Sequence, residues 1–197
     1  MKIRNGFVSN SSSSSFLVAF PRTPKNVKDV KEILFVEGQN DYPNPFADSY
    51  GDDEQFWPVD MVAKIVWTDI KENGKATEEQ MFECVDGGFF NTYEDLLGHV
   101  DIYRQDRRDE IFRQMEDETK GLDWSTDEGR TKHQAVWSAM NKENVKRAKA
   151  IVKRFKEKNP DAVFYTFEYS DNDNSLFSAM EHGTLFRRVY HIKTSRH

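Results

Sequence analysis

Five apolar residues in a row, Phe16-Leu17-Val18-Ala19-Phe20, end at Pro21. Such a run, rich in β-favouring residues and closed by proline, predicts a short buried strand. A second strand is predicted over 162–169, Ala162-Val163-Phe164-Tyr165-Thr166-Phe167-Glu168-Tyr169. Strict alternation puts Val163, Tyr165, Phe167 and Tyr169 on one side, Phe164 and Thr166 on the other. Between these strands the apolar spacing turns helical. Val27, Val30, Ile33 and Leu34 predict a helix to about Phe35, with Thr23 as its cap and Pro24 at its first position. Met61, Val62, Ile65, Val66 and Ile70 predict another, opened by Pro58 and closed near Asn73-Gly74. Thr77-Glu78-Glu79-Gln80 matches a capping box, so a short helix is expected over 78–86.

Thr92 with Asp95 looks like another start signal, and a long helix is expected from Tyr93 to about Lys120. Its inward stripe would be Leu96, Leu97, Val100, Tyr103, Ile111, Phe112 and Met115. Its middle, 104–110, is wholly polar and must project or break. Ser125-Thr126-Asp127-Glu128 starts the last long helix, expected to reach Lys158 with a break near Asn141. Asn159-Pro160 stops it. A short helix from Ser175 to about His182 should end at Gly183 in a left-handed cap. The tail from Leu185 to Lys193 is read as a last strand or a docking segment.

The strands thus fall at the two ends of the chain and the helices in its middle. The expected fold is α+β: a small sheet built from N- and C-terminal strands, packed by several central helices, with residues 1–197 forming a single domain.

Composition sharpens this picture. Apolar residues make up 37% of the 197 and charged residues 31%, but 13% are aromatic, enough large rings to build a core where aliphatics are few. No apolar run approaches the ~18 residues of a membrane span. The opening lacks the apolar stretch of a signal peptide, and the lone Cys84 forms no intrachain disulfide or Cys-rich zinc site. A cytosolic protein with no membrane partner is expected, and Cys84 is read as a small packed hydrophobe.

The net charge of −6 hides an asymmetry. Residues 37–63 hold seven acids and no Lys or Arg; residues 142–158 hold eight bases and two acids. The acidic stretch, with Tyr42, Phe46, Tyr50, Phe56 and Trp57, is expected to be a long loop over 37–57 that packs down through its aromatics. Its expected complement is the basic helix. That helix could instead meet nucleic-acid phosphates, but Ile151, Val152 and Phe155 on its other face make a solvated amphipathic helix the favoured reading.

Three groups could carry chemistry. In Ser170-Asp171-Asn172-Asp173-Asn174-Ser175, Asp171 and Asp173 are candidate ligands for a divalent cation at a strand's end. An EF-hand reading fails, because Leu176 and His182 stand where glycine and glutamate belong, and an Asx turn with a helix cap is the plainer account. Glu181 and His182, before Gly183, are candidates for acid–base work; His182 also suits a helix C-terminus. The tract Ser11, Ser12, Ser13, Ser14 and Ser15 could contact an anion or a partner or carry a modification, or form a solvated turn or an edge strand. It lacks the glycine spacing of a phosphate loop. His99 and His133 are read as surface or partly buried.

The segment Arg4-Asn5-Gly6-Phe7-Val8-Ser9-Asn10-Ser11-Ser12-Ser13-Ser14-Ser15-Phe16 resembles the opening of many uncharacterised tailed-bacteriophage proteins. Several of these also end with a turn similar to Glu181-His182-Gly183 and a tail like Tyr190-His191. The resemblance implies a phage origin, with action in the cytoplasm of an infected bacterial host or a place in the virion, and implies nothing catalytic. The leading expectation is an accessory protein that binds a host or phage protein without turnover and needs no cofactor. The alternatives are a small metal-dependent hydrolase or transferase acting on a phosphate-bearing substrate, and a virion-associated structural protein.

Overall fold

The computed structural model describes residues 13–47, 55–85, 92–94, 113–114, 116–123, 125–170 and 175–195. Strand β1 (Ser13–Phe20) lies inside a four-stranded sheet with β5 (Val163–Ser170) on one side and β6 (Tyr190–Ser195) on the other. Strand β4 (Thr92–Glu94) continues the sheet beyond β6, and every neighbouring pair is antiparallel. The N- and C-terminal strands therefore share one sheet, and the fold is α+β.

The burial of β1 follows from its position. A strand flanked on both sides and covered on both faces has no solvent side, so Phe16 to Phe20 are all buried. Phe16, Val18 and Phe20 face a layer made by α1 (Val27–Leu34), α2 (Val59–Asn73), α5 (Ser175–His182) and the segment 185–189. This layer is aromatic. Phe186 packs against Phe16 at 5.2 Å and Phe167 at 4.9 Å between ring centroids. Leu17 and Ala19 face a second layer, made by α3 (Glu78–Val85) and the C-terminal third of α4 (Asp127–Lys158). Cys84 is buried in that layer, as its reading as a packed hydrophobe anticipates.

Several local signals work as read. Thr77 and Gln80 make the reciprocal capping bonds that start α3, at 2.9 and 3.2 Å. Thr126 caps α4 by accepting from the Gly129 amide. The alternation of β5 puts Tyr165, Phe167 and Tyr169 into the aromatic layer and Phe164 into the other.

Other elements differ from the sequence reading. Helix α1 starts from Asn26 rather than Thr23: the Asn26 side chain accepts from the Asp29 amide, and Asp29 accepts from the Lys25 amide. These two bonds outcompete the proline signal two residues earlier. The acidic stretch is not a loop throughout. Strands β2 (Asp41–Pro43) and β3 (Phe56–Pro58) pair in it, and Tyr42 is buried. Met61 stands exposed on α2 rather than inward. Thr92 and Tyr93 do not begin a helix but pair with Ser195 and Thr194 of β6, where a free strand edge offers the backbone a ladder that a local capping pattern cannot reveal. The rest of that expected helix through residue 112 lies outside the described residues; 116–119 are helical. Helix α4 runs through Asn141 without a break.

The acidic and basic stretches are not each other's complement among the described residues. Tyr42 and Trp57 pack into the aromatic layer, whereas α4 packs on the opposite face of the sheet. Lys156 of α4 pairs instead with Glu78 of α3 at 2.6 Å, and Asp60 pairs with Lys31 of α1 at 2.8 Å. Among the described residues no helix is long and apolar enough to cross a membrane.

Candidate binding site at the polar end of the sheet

The antiparallel register brings the hydroxyl-bearing ends of three strands together. Ser13 pairs with Ser170, and Ser14 lies between Tyr169 on β5 and Ser195 on β6. Ser13, Ser14 and Ser15 are therefore part of a central strand, neither a solvated turn nor an edge strand. Ser11, Ser12, Asp171 and Asp173 lie outside the described residues, as does His99.

Strand alternation sends the serines in opposite directions. Ser14 shares the aromatic face with Phe16 and is fully buried. Its hydroxyl donates to Glu181 Oε1 at 3.0 Å. Glu181 is also fully buried, in the last turn of α5, so this bond ties the first strand to the last helix across 167 positions of sequence. A carboxylate out of water needs such donors to remain in place. His182 Nε2 lies 3.7 Å from Glu181 Oε2, and the imidazole is about a quarter exposed, at 27%. The Phe46 ring meets it edge-on at 5.1 Å.

Two tyrosines brace this region. Tyr42 of the β2–β3 hairpin donates to the Ala179 carbonyl of α5 at 3.0 Å. Burial pushes its hydroxyl pKa far above the ordinary range. Gly183 sits under it: a Cβ there would collide with the Tyr42 hydroxyl and the Ala179 carbonyl. The glycine is thus required by close approach, not by the left-handed backbone expected of a cap. Tyr169, cross-strand neighbour of Ser14, donates to Asp69 Oδ2 of α2 at 3.1 Å. Burial, and then the negative charge of Asp69, raise its pKa well above the ordinary value.

Ser15 points the other way. It is only 4% exposed, and among the described residues its hydroxyl has no hydrogen-bond partner. It lines an open cleft of about 530 Å³ bounded by Asn73 at the end of α2, by Gln80, Glu83 and Cys84 of α3, and by Thr166 and Glu168 of β5. Ser15 and Glu168 are direct cross-strand partners, and Thr166 lies two residues along on the same face. Thr194, the partner of Ser15 on β6, is fully buried, and its Oγ1 has no partner among the described residues. A volume of this size admits a small ligand or a side chain of a partner.

The sequence reading singled out the Ser tract, Glu181 and His182, and the structure joins Ser14 to Glu181 and His182. It missed Asp69, the bond from Tyr42 to the Ala179 carbonyl, and the whole cleft. One signal for the cleft was present: Thr166 and Glu168 are polar positions on one face of a strand whose other face is built of valine and aromatics. Among the described residues no three His, Cys, Asp or Glu side chains come together as a metal-binding set. Comparison with family models, curated proteins and solved structures finds no match to this chain.

Proposed function

We propose that this chain is a phage accessory protein that binds a host or phage protein without chemical turnover, in the cytoplasm of an infected bacterium. One observation carries the reading. The Ser14 hydroxyl, the one member of the serine tract bonded to a carboxylate among the described residues, is fully buried and donates to a fully buried carboxylate. A nucleophilic serine gives its proton to a base at an accessible site; this one serves as a clamp. The polar groups that remain open line a cleft on the opposite face, an arrangement suited to holding a ligand. A protein partner is favoured over nucleic acid because two carboxylates line the cleft and several bases of α4 are already neutralised, Lys132 by Glu128, Lys153 by Glu157 and Lys156 by Glu78.

The test is cross-linking of the tagged full chain during infection, followed by mass spectrometry. The expected result is one protein recovered repeatedly, with recovery reduced at least about tenfold by Glu168→Lys. Recovery equal to an untagged control, or release of all captured material by nuclease, overturns the reading.

A second reading, a metal-dependent hydrolase or transferase of phosphate-bearing substrates, draws on the 3.7 Å approach of His182 to Glu181 and on the Ser13–Ser170 pairing beside the strand end that leads to Asp171. Magnesium-dependent cleavage of a phosphate ester that His182→Ala abolishes would establish it.

A further inference from the structure

We propose that the cleft between β5, α2 and α3 is a binding site for an organic cation rich in N–H donors, a guanidinium or alkylammonium group. The site chemistry rests on the cleft alone; that such a group belongs to a protein partner rests on the function proposed above.

Charge selects the sign of the ligand. Glu83 and Glu168 line the cleft, and among the described residues no Lys, Arg or His lines it. A concave surface carrying one sign of charge attracts the opposite one. Glu168 makes no ion pair among the described residues.

Hydrogen-bonding capacity selects the shape. Ser15 is buried to more than nine-tenths, yet its hydroxyl opens into the cleft without a protein partner among the described residues. A polar group withdrawn from bulk water in this way is satisfied by whatever enters beside it. Asn73 and Thr166 add two more side chains with acceptor oxygens that no described group occupies. The lining therefore presents a carboxylate with neutral acceptors around it. A planar guanidinium, with five donors in a fixed fork, matches such a set, and a lone metal ion would leave most of a 530 Å³ space unfilled. The floor of the cleft is fixed by the β1–β5 ladder, and its rim is anchored where the Ala76 amide of the α2–α3 connection donates to the Phe164 carbonyl of β5. The acceptors are thus held apart before any ligand arrives.

The experiment is calorimetric titration of the full chain, at low salt, with agmatine in one arm and the tripeptide amide Gly-Arg-Gly in the other. Saturable binding is expected in at least one arm, weakened about tenfold by Glu168→Gln and several-fold by Ser15→Ala. Glu78→Gln, a surface glutamate outside the cleft, should leave affinity unchanged. Glu168 is exposed, so its variant should keep the parent's melting temperature and report on binding alone. Tighter binding of the tripeptide identifies a partner's arginine as the source; tighter binding of agmatine identifies a free small cation, and then the site stands while the protein-partner function falls. The proposal is overturned if neither probe binds, if Glu78→Gln weakens binding as much as Glu168→Gln, or if uncharged N-butylurea binds as well as agmatine.

Discussion

Ser14 and Ser15 are neighbours of identical chemistry in the same strand, both buried, and they do opposite things. Ser14 turns toward the aromatic layer and is held by Glu181, whereas Ser15 turns toward α3 and opens into a polar cleft. The difference comes from what each face of the sheet packs against. One face is closed by three helices and the segment 185–189, which leave a buried carboxylate over the strand's start. The other is covered by α3 and the end of α4, whose apolar residues meet Leu17 and Ala19 but leave the Ser15 end open. Side-chain type does not assign a role here; the layer it meets does.

The comparison can be broken most severely from below. Phe186 supports the closed face through its contacts with Phe16, Phe167 and Tyr169. Phe186→Ala should lower unfolding free energy by about 3–5 kcal/mol in urea denaturation. Next in size, Ser14→Ala should cost about 1.5–3 kcal/mol, because it removes a donor from a buried carboxylate. Ser15→Ala, by contrast, should lie within about 0.5 kcal/mol of the parent, since no hydrogen bond is lost. Equal effects at the two serines would erase the distinction drawn between them.

Gly183→Ala tests the bracing of α5, and a loss of about 1–3 kcal/mol is expected as Tyr42 is displaced from the Ala179 carbonyl. A further effect is confined to alkaline pH. Tyr42 and Tyr169 keep their protons in the folded chain above the value near pH ~10 at which the unfolded chain releases them. The stability they contribute is therefore complete below pH ~10 and declines as pH rises toward their raised folded values. Tyr169→Phe should flatten that decline by roughly 1.4 kcal/mol per pH unit above pH ~10, read from denaturation midpoints between pH ~10 and ~11. An unchanged slope would show that Tyr169 ionises in the folded protein as it does in water.

Much of the fold is legible locally. The five apolar residues of β1, the alternation of β5, the Thr77–Gln80 capping box and the helix from Ser175 to His182 all depend on residues within one or two turns of each other. What local pattern misreads is where a distant partner competes. Thr92 and Tyr93 carry a helix-start pattern, yet the open edge of β6 takes them. Tyr42 sits among Asp, Asn and Pro, which read as loop, yet a pairing with Trp57 and a place under α5 hold it. The site divides the same way. Glu181, His182 and the serines stand out as residues; the cleft does not, because Ser15, Asn73, Gln80, Glu83, Thr166 and Glu168 come from four separate stretches of chain.

The sequence by itself determined that Phe16–Phe20 and the segment 162–169 would be strands, that rings would supply the core, and that successive residues of a strand would face opposite ways, because side-chain period is a property of the backbone alone. Only the tertiary structure decided that the strands run antiparallel, that Ser13 meets Ser170, and that one serine finds a carboxylate while the next finds an opening. Strand direction and facing layer are settled by burying apolar surface from segments more than a hundred residues apart, a choice no local pattern records.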